Sequence, residues 1–460
     1  MANLNQTQKG TGNCIRKILY AFDPVENQSA ASARSCFSFL NPQAVANSPE
    51  LRHANCIVPS SLKIPWVTSF PASLQSKYWT EAEEAARDLL RAIFITPSRN
   101  VSEKYIEAVI DAAVSFTVNV VPTGSVSRTR ALARAYTLVF IHDDAVESGN
   151  FDATIPNMYN NNERHSHTAF DMVAQEVMSE DTAQGRRFLD GMISWGSLPQ
   201  AIQPSKAFPT LMNYVKYRIE DVGADLVFRS VEFASDICVT DRDEQALERL
   251  SSLCAKHCAL SNDLYSYPKE VIAEKENGET LLNAVKVVQD LMNVSSSSAK
   301  SILRGIILDT ERQIGEEYES LVNSKSTTTS QLVYARGLII AVAGNMFFSA
   351  TSYRYAKAVD GSRLVVNSES QKGGRLESDG DGGSDDGTAE RVAEVLLAGG
   401  ASGEEVGAGG GSGRASAGAG AALGGGSAGG GGSGGAAGGG TGGDDGGGSG
   451  RLGDGAGAHP

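Results

Sequence analysis

Between residues 78 and 358, apolar side chains recur every three or four positions in one stretch after another, with no sustained alternating run bounded by tight-turn dipeptides. That periodicity restricts the region to helices and leaves little room for a sheet. In "TEAE", Thr80 with Glu83 three residues on reads as a capping box opening the first helix, "AEEAARDLLRAIF". Further helices are expected near 102–120, 125–147, 168–179, 182–197, 206–235, 241–275, 279–292, 295–323 and 329–358, punctuated by "TPSRN", "PTGS" and "PNMYNNNERHSH". The fold class that follows is all-α, one helical bundle over 78–360 large enough to surround a central cavity. Residues 1–77 are less regular and are expected to pack over that bundle. Residues 361–460 hold 38 of the 51 glycines, no aromatic residue and few branched apolar ones, so they are expected to form a disordered, acidic tail.

Charge narrows the function. The formal net charge is −14, about half of it in the tail, so the body offers no basic footprint for nucleic acid and suits metal cations better. Six cysteines scattered over a long chain do not make a disulfide framework, and Cys254 and Cys258 beside His257 lack an evident fourth zinc ligand. They read as buried free thiols. The N-terminus lacks the continuous apolar core of a signal peptide, and "GLIIAVAGNMFFSA" falls short of the ~20 residues that span a bilayer. A cytoplasmic protein without a membrane span is expected.

Two stripes carry chemistry. In "ALARAYTLVFIHDDAVE", the apolar positions Leu132, Tyr136, Val139 and Phe140 are followed on the same face by Asp143 and Glu147. A buried carboxylate needs a compensating cation or donor, so an inward stripe ending in acids points to a metal or a polar cavity mouth. Taken alone, "DDAVE" reads more simply as a solvated acidic turn. In "NDLYSYPKE", Asn262, Ser266 and Glu270 lie at intervals of four and offer an amide oxygen, a hydroxyl and a carboxylate. All are hard ligands appropriate to Mg2+ or Mn2+ and wrong for zinc. Cys254 and Cys258 continue the same stripe, so this face also looks inward. Pro268 removes one helical hydrogen bond, and a kink re-aiming Glu270 is expected there.

DDxxE followed by NDxxSxxKE resembles the paired metal-binding signature of class I terpene cyclases, with Asp143 and Asn262 separated by 119 residues. "YRIEDVGAD" resembles the family's diphosphate-sensor segment and "SYRY" its terminal arginine-tyrosine pair. The resemblance covers about residues 60–358. Through "WTEAEEAARDLL" and "FIHDDAVE" it leans toward fungal sesquiterpene synthases of the longiborneol-synthase kind. It implies a class I helical bundle, three Mg2+ ions with Mn2+ as a substitute, and a prenyl diphosphate substrate, farnesyl diphosphate first. A homodimer is compatible with it.

Carried over by position, the resemblance makes Asp143, Asn262, Ser266 and Glu270 metal ligands, with Asp144 and Glu147 behind them. Arg218, Lys269, Arg354 and Tyr355 would hold the diphosphate; Asp221 would be the sensor's linker, and the Val222 carbonyl the group that triggers ionisation. Each basic residue also has a plainer reading: Lys269 solvated, Arg218 paired with Glu220 or Asp221, Arg354 at a helix C-terminus. Gly223 after Val222 is compatible with a helix break. Phe116, Phe140 and Phe348 are the leading candidates to face a carbocation, although for any one of them plain core packing is the simpler reading. Two alternatives remain: a C20 or C25 cyclase, and a non-catalytic helical protein that binds isoprenoid diphosphates.

Overall fold

The computed structural model describes residues 14–364, apart from 27–30, 94–101, 148–154, 156–168, 199–207 and 279. The glycine-rich tail expected to be disordered lies, from residue 365 onward, outside the described residues.

Residues 14–77 carry short 3-10 turns, one short helix α1 (Pro42–Asn47) and a two-stranded antiparallel sheet, β1 (Ala54–Ile57) on β2 (Ser73–Ser76), with Ala54 opposite Ser76 and Ile57 opposite Ser73. The bundle follows: α2 (Trp79–Ile93), α3 (Glu103–Val120), α4 (Val126–Glu147), α5 (Ala169–Glu180), α6 (Thr182–Gly196), α7 (Leu211–Asp221), α8 (Ala224–Ser235), α9 (Asp241–Asn277), α10 (Ala284–Met292), α11 (Ser296–Asn323), α12 (Thr329–Thr351) and the single turn α13 (Tyr353–Ala356).

Two expected boundaries are corrected. Thr80 does not cap α2; it lies inside the helix and its hydroxyl donates to Glu81. Ahead of the helix the Ser76 hydroxyl accepts from the Tyr78 amide, a local turn that leads the chain from β2 into α2. The last helix also stops short of 358. Ser352 adopts extended backbone and accepts from the Arg354 amide through its own hydroxyl, so the chain turns and restarts as α13.

Helix α12 is the centre of the bundle, packing along α9, α3 and α8. From Tyr334 to Ala350 only Arg336 is not buried. The apolar run judged too short for a bilayer belongs to this 23-residue helix, which does reach spanning length. Its most apolar window is 83% buried against the rest of the protein, the signature of a core helix. Gly344 explains how closely α12 and α3 approach: an added Cβ there would lie 2.0 Å from the Asn119 carbonyl oxygen.

All six cysteines are free. Only Cys254 and Cys258 are buried, which corrects the expectation for the other four. Burial pushes the Cys258 thiol up to about 12, so it is inert at neutral pH.

Candidate active site

The apolar face of α4 carries the chain inward until its last turn, where Asp143 and Asp144 stand half-buried. Both meet Arg354. Its Nη2 donates to Asp143 Oδ2 and its Nη1 to Asp144 Oδ1, each at 2.6 Å. Asp144 also accepts from the Tyr105 hydroxyl at 3.2 Å. Glu147 ends the helix, and its side chain lies outside the described residues.

Helix α9 runs without interruption from Asp241 to Asn277, so Pro268 neither ends it nor removes Glu270 from it. The Asn262 amide nitrogen donates to the Tyr355 hydroxyl at 2.8 Å, and its oxygen accepts from Arg218 Nη2 at 3.0 Å. Buried Ser266 donates to Glu270 Oε1 at 2.5 Å. Asn283 donates to Glu270 Oε2 at 3.0 Å. Burial, with the charge of Asp263 added, pushes the Glu270 carboxyl up to about 7. Burial likewise raises the Tyr355 phenol, against the opposing pull of Arg354 and Lys269, which places Lys269 within electrostatic reach of that hydroxyl.

The sensor segment breaks between α7 and α8 as the glycine suggested. Gly223 has φ +71° and its carbonyl, rather than that of Val222, accepts the first bond of α8. Val222 is left at the junction. Trp195 fills the space beside the break, its indole nitrogen donating to the Asp221 carbonyl at 3.0 Å and its ring 4.9 Å from that of His142, next to Asp143.

Arg218 is paired with Asp221 and with fully buried Asp263, the latter at 2.8 Å; Glu220 is not a partner. Burial opposes its charge, but those two carboxylates outweigh it and hold the guanidinium well above its usual pKa. Asp263 in turn accepts from the Tyr214 hydroxyl at 2.5 Å and the Ala284 amide at 2.8 Å.

Asp263 and Asn283 are the residues that sequence reasoning missed. Counting in fours along the helix passes over Asp263, although an acid between Leu260 and Leu264 on an inward helix is itself a signal. Asn283 is visible only as a capping asparagine ahead of "AVKVV"; its oxygen accepts from the Val285 amide.

The expected aromatics do meet. Phe116 lies 5.2 Å from Phe348 and 5.9 Å from Phe140 by ring centroid, and Phe348 lies 6.0 Å from Tyr355. The Arg354 guanidinium sits 5.6 Å from the Phe140 ring centre. This wall therefore adjoins the basic end of the site. A separate pocket of about 300 Å³, lined among others by His53, Arg128 and Arg336, contains none of the motif residues.

The donors fit a hard divalent cation: two carboxylates, an amide oxygen and a hydroxyl, with no sulfur or imidazole. Among the described residues no three His, Cys, Asp or Glu side chains already converge as a metal cluster. Arg354 holds Asp143, and hydrogen bonds from Ser266 and Asn283 hold Glu270. A buried carboxyl raised in pKa is a group that an added cation would stabilise in its ionised form.

The family model described as terpene synthase family 2, C-terminal metal binding, matches residues 134–313. Terpene cyclase aneC of Aspergillus aculeatus is 27% identical over 366 residues, covering 74% of this chain and 82% of that protein. Terpene cyclase 6 of Gibberella fujikuroi is 29% identical over 361 residues, 75% of this chain and 95% of that one. The crystal structure of aristolochene synthase from Penicillium roqueforti superposes with a TM-score of 0.50 at 20% identity, covering 59% of this chain and 95% of that one. Its helical fold is the one found here. The family match, the curated relatives and the shared fold agree in one direction: the chain is similar to the class I terpene synthases of fungi.

Proposed function

We propose that this terpene synthase ionises farnesyl diphosphate in the presence of Mg2+ and closes the resulting cation into a sesquiterpene hydrocarbon or alcohol, releasing diphosphate. The observation that carries the reading is that Arg354 and Tyr355, consecutive in sequence, reach the two different metal motifs: Arg354 binds Asp143 and Asp144, and Tyr355 binds Asn262. A diphosphate entering between them meets donors from both walls.

Asp143, Asn262, Ser266 and Glu270 would hold the divalent ions, whose charge would lower the barrier to C–O cleavage by stabilising the departing diphosphate. The protein's own cations share that task. Arg218, Lys269 and Arg354 donate to diphosphate oxygens, the planar arginine forks two bonds at a time, and the Tyr355 phenol adds a neutral donor. For Arg218 and Arg354 this means exchanging carboxylate partners for phosphate oxygens. Asp221 keeps Arg218 oriented, and the Val222 carbonyl at the helix break faces the substrate. Phe116, Phe140 and Phe348 offer ring faces to the migrating positive charge at about 0.5–2 kcal/mol per ring and exclude water that would quench it.

We assign this work to the bundle, residues 78–360, with 1–77 packed over it and 361–460 dispensable, and place the enzyme in the cytoplasm. The test is purified protein with Mg2+ and each of the C10, C15, C20 and C25 diphosphates, with products read by gas chromatography. A cyclic C15 product supports the reading; a cyclic product from C20 or C25 alone moves the substrate to the longer class. Absence of turnover with all four leaves only a binding role.

A further inference from the structure

Residues 19–25 touch two separate parts of the site at once. On one side they pair with the chain on both flanks of the Arg354–Tyr355 turn. The Ala21 amide donates to the Ser362 carbonyl at 2.8 Å, the Leu364 amide to the Leu19 carbonyl at 2.9 Å, and the Phe22 amide to the Ala350 carbonyl at 3.1 Å. The Tyr20 ring lies 5.2 Å from that of Tyr353. Ser362 then ties back to α13, its hydroxyl donating to the Ala356 carbonyl at 2.8 Å.

On the other side the same segment reaches the metal stripe. Asp23 accepts from Arg304 Nη2 at 2.7 Å, and the same Nη2 approaches the Tyr265 hydroxyl at 3.4 Å. Phe22 packs edge-on to the Tyr265 ring at 5.4 Å. Tyr265 stands immediately before Ser266 on α9. Arg304 is fully buried, and its Nη1 also donates to the Val67 carbonyl at 3.1 Å. A little further along, Glu311 accepts from Thr68, Ser69 and His257, and His257 bonds Ser261 next to Asn262. Ser261, His257 and Glu311 are all at 0% exposure, so this series braces α9 and has no access to a substrate.

We propose that residues 19–25 are a positioning strap that fixes the Tyr353–Ala356 turn relative to the middle of α9, with Asp23 acting through Arg304 on Tyr265 and Tyr20 acting on Tyr353. The proposal rests on the diphosphate and metal reading of those two parts. Neither Asp23 nor Tyr20 is assigned a contact with substrate; their effect is on where Arg354, Tyr355, Asn262 and Ser266 stand. A displacement of about 1 Å in such groups costs a reaction of this kind ~100-fold, so a strap that holds two walls in register matters to turnover.

The experiment uses full-length protein and the variants Tyr20→Ala, Tyr20→Phe and Asp23→Asn. Hydrogen exchange without ligand is expected to rise at amides 353–364 in Tyr20→Ala and Asp23→Asn, while amides of α5 and α6 keep wild-type protection. Thermal shift with Mg2+ and inorganic diphosphate is expected to show a half-saturating Mg2+ several-fold higher. With substrate, the acyclic and water-quenched share of product is expected to grow. Tyr20→Phe, which keeps the ring, is expected to restore all three. If Asp23→Asn leaves Arg304 unpaired and fails to fold, Tyr20→Ala decides. Unchanged exchange at 353–364 in Tyr20→Ala, or a rise spread evenly over the protein, overturns the strap. If wild-type protein makes no cyclic product, the functional reading falls, and the exchange arm still decides the strap.

Discussion

The Asn262 side chain is held from both ends, its nitrogen donating to the Tyr355 hydroxyl at 2.8 Å and its oxygen accepting from Arg218 at 3.0 Å. A residue assigned to the metal is therefore also the junction between the sensor arginine and the terminal tyrosine. Removing it cuts both links. Asn262→Ala is expected to lose at least ~100-fold in kcat/KM, equivalent to about 2.7 kcal/mol of transition-state stabilisation. Its melting temperature should stay near wild type, because the site is half-buried and polar. Steady-state kinetics beside a thermal melt checks this, and wild-type rates would refute the metal assignment.

Asp263 separates structure from catalysis in the opposite sense. It is fully buried and pairs with Arg218, so Asp263→Asn leaves a desolvated guanidinium short of a counter-charge. A loss of about 3–5 kcal/mol of stability is expected, visible in a denaturant titration as a lower midpoint with an unchanged slope. Arg218→Met should cost stability as well, since it strands the carboxylate instead. A stable Asp263→Asn protein would show that Asp263 is protonated in the fold.

Arg354 grips two carboxylates with two different nitrogens, a geometry that lysine cannot reproduce from a single ammonium. Arg354→Lys is expected to retain the fold and lose ~10 to 100-fold in kcat/KM, and Arg354→Met more. Equal rates for arginine and lysine would mean that charge alone, without the fork, is what the site needs.

Gly223 holds a left-handed backbone against the Trp195 indole, where an added Cβ would lie 3.1 Å from two ring atoms. Gly223→Ala is expected to cost about 1–2 kcal/mol in backbone strain and to move Val222. Its mark would be a drop in kcat larger than the change in melting temperature explains. Trp195→Phe, which deletes the bond to the Asp221 carbonyl but keeps a ring, should reproduce part of that drop.

Chelation gives the test of cofactor. Excess EDTA is expected to abolish turnover, with recovery on adding Mg2+ or Mn2+ and none with Zn2+, because every assigned donor is a hard oxygen. Turnover that survives chelation would remove the metal from the reading.

The parts legible in the sequence were those written in local periodicity. Helix α4 ends within the expected turn, α9 carries Asn262, Ser266 and Glu270 on its inner side, and Gly223 breaks the sensor where glycine allowed. Local signals misled at two ends: α2 begins at Trp79, ahead of Thr80, and Ser352 stopped a helix whose pattern ran on to 358. The least legible features were pairings across hundreds of residues. Nothing near Arg304 announces Asp23, 281 positions away, and nothing near Glu311 announces Thr68 and Ser69. Such partners are selected by the folded core, and a charge on a helix reads as a solvated charge until its burial is known.

The pairing of Tyr20 with Arg363 bears on how the chain is made. A ribosome adding ~5–20 residues per second needs roughly 20–70 s to synthesise the stretch between them. Throughout that interval the backbone edge at Leu19–Ala21 has no partner, although Tyr265 and Arg304, which receive Phe22 and Asp23, are made earlier. That edge can be covered only once translation has passed residue 364, so a slower ribosome leaves it open for longer to pairing with other chains.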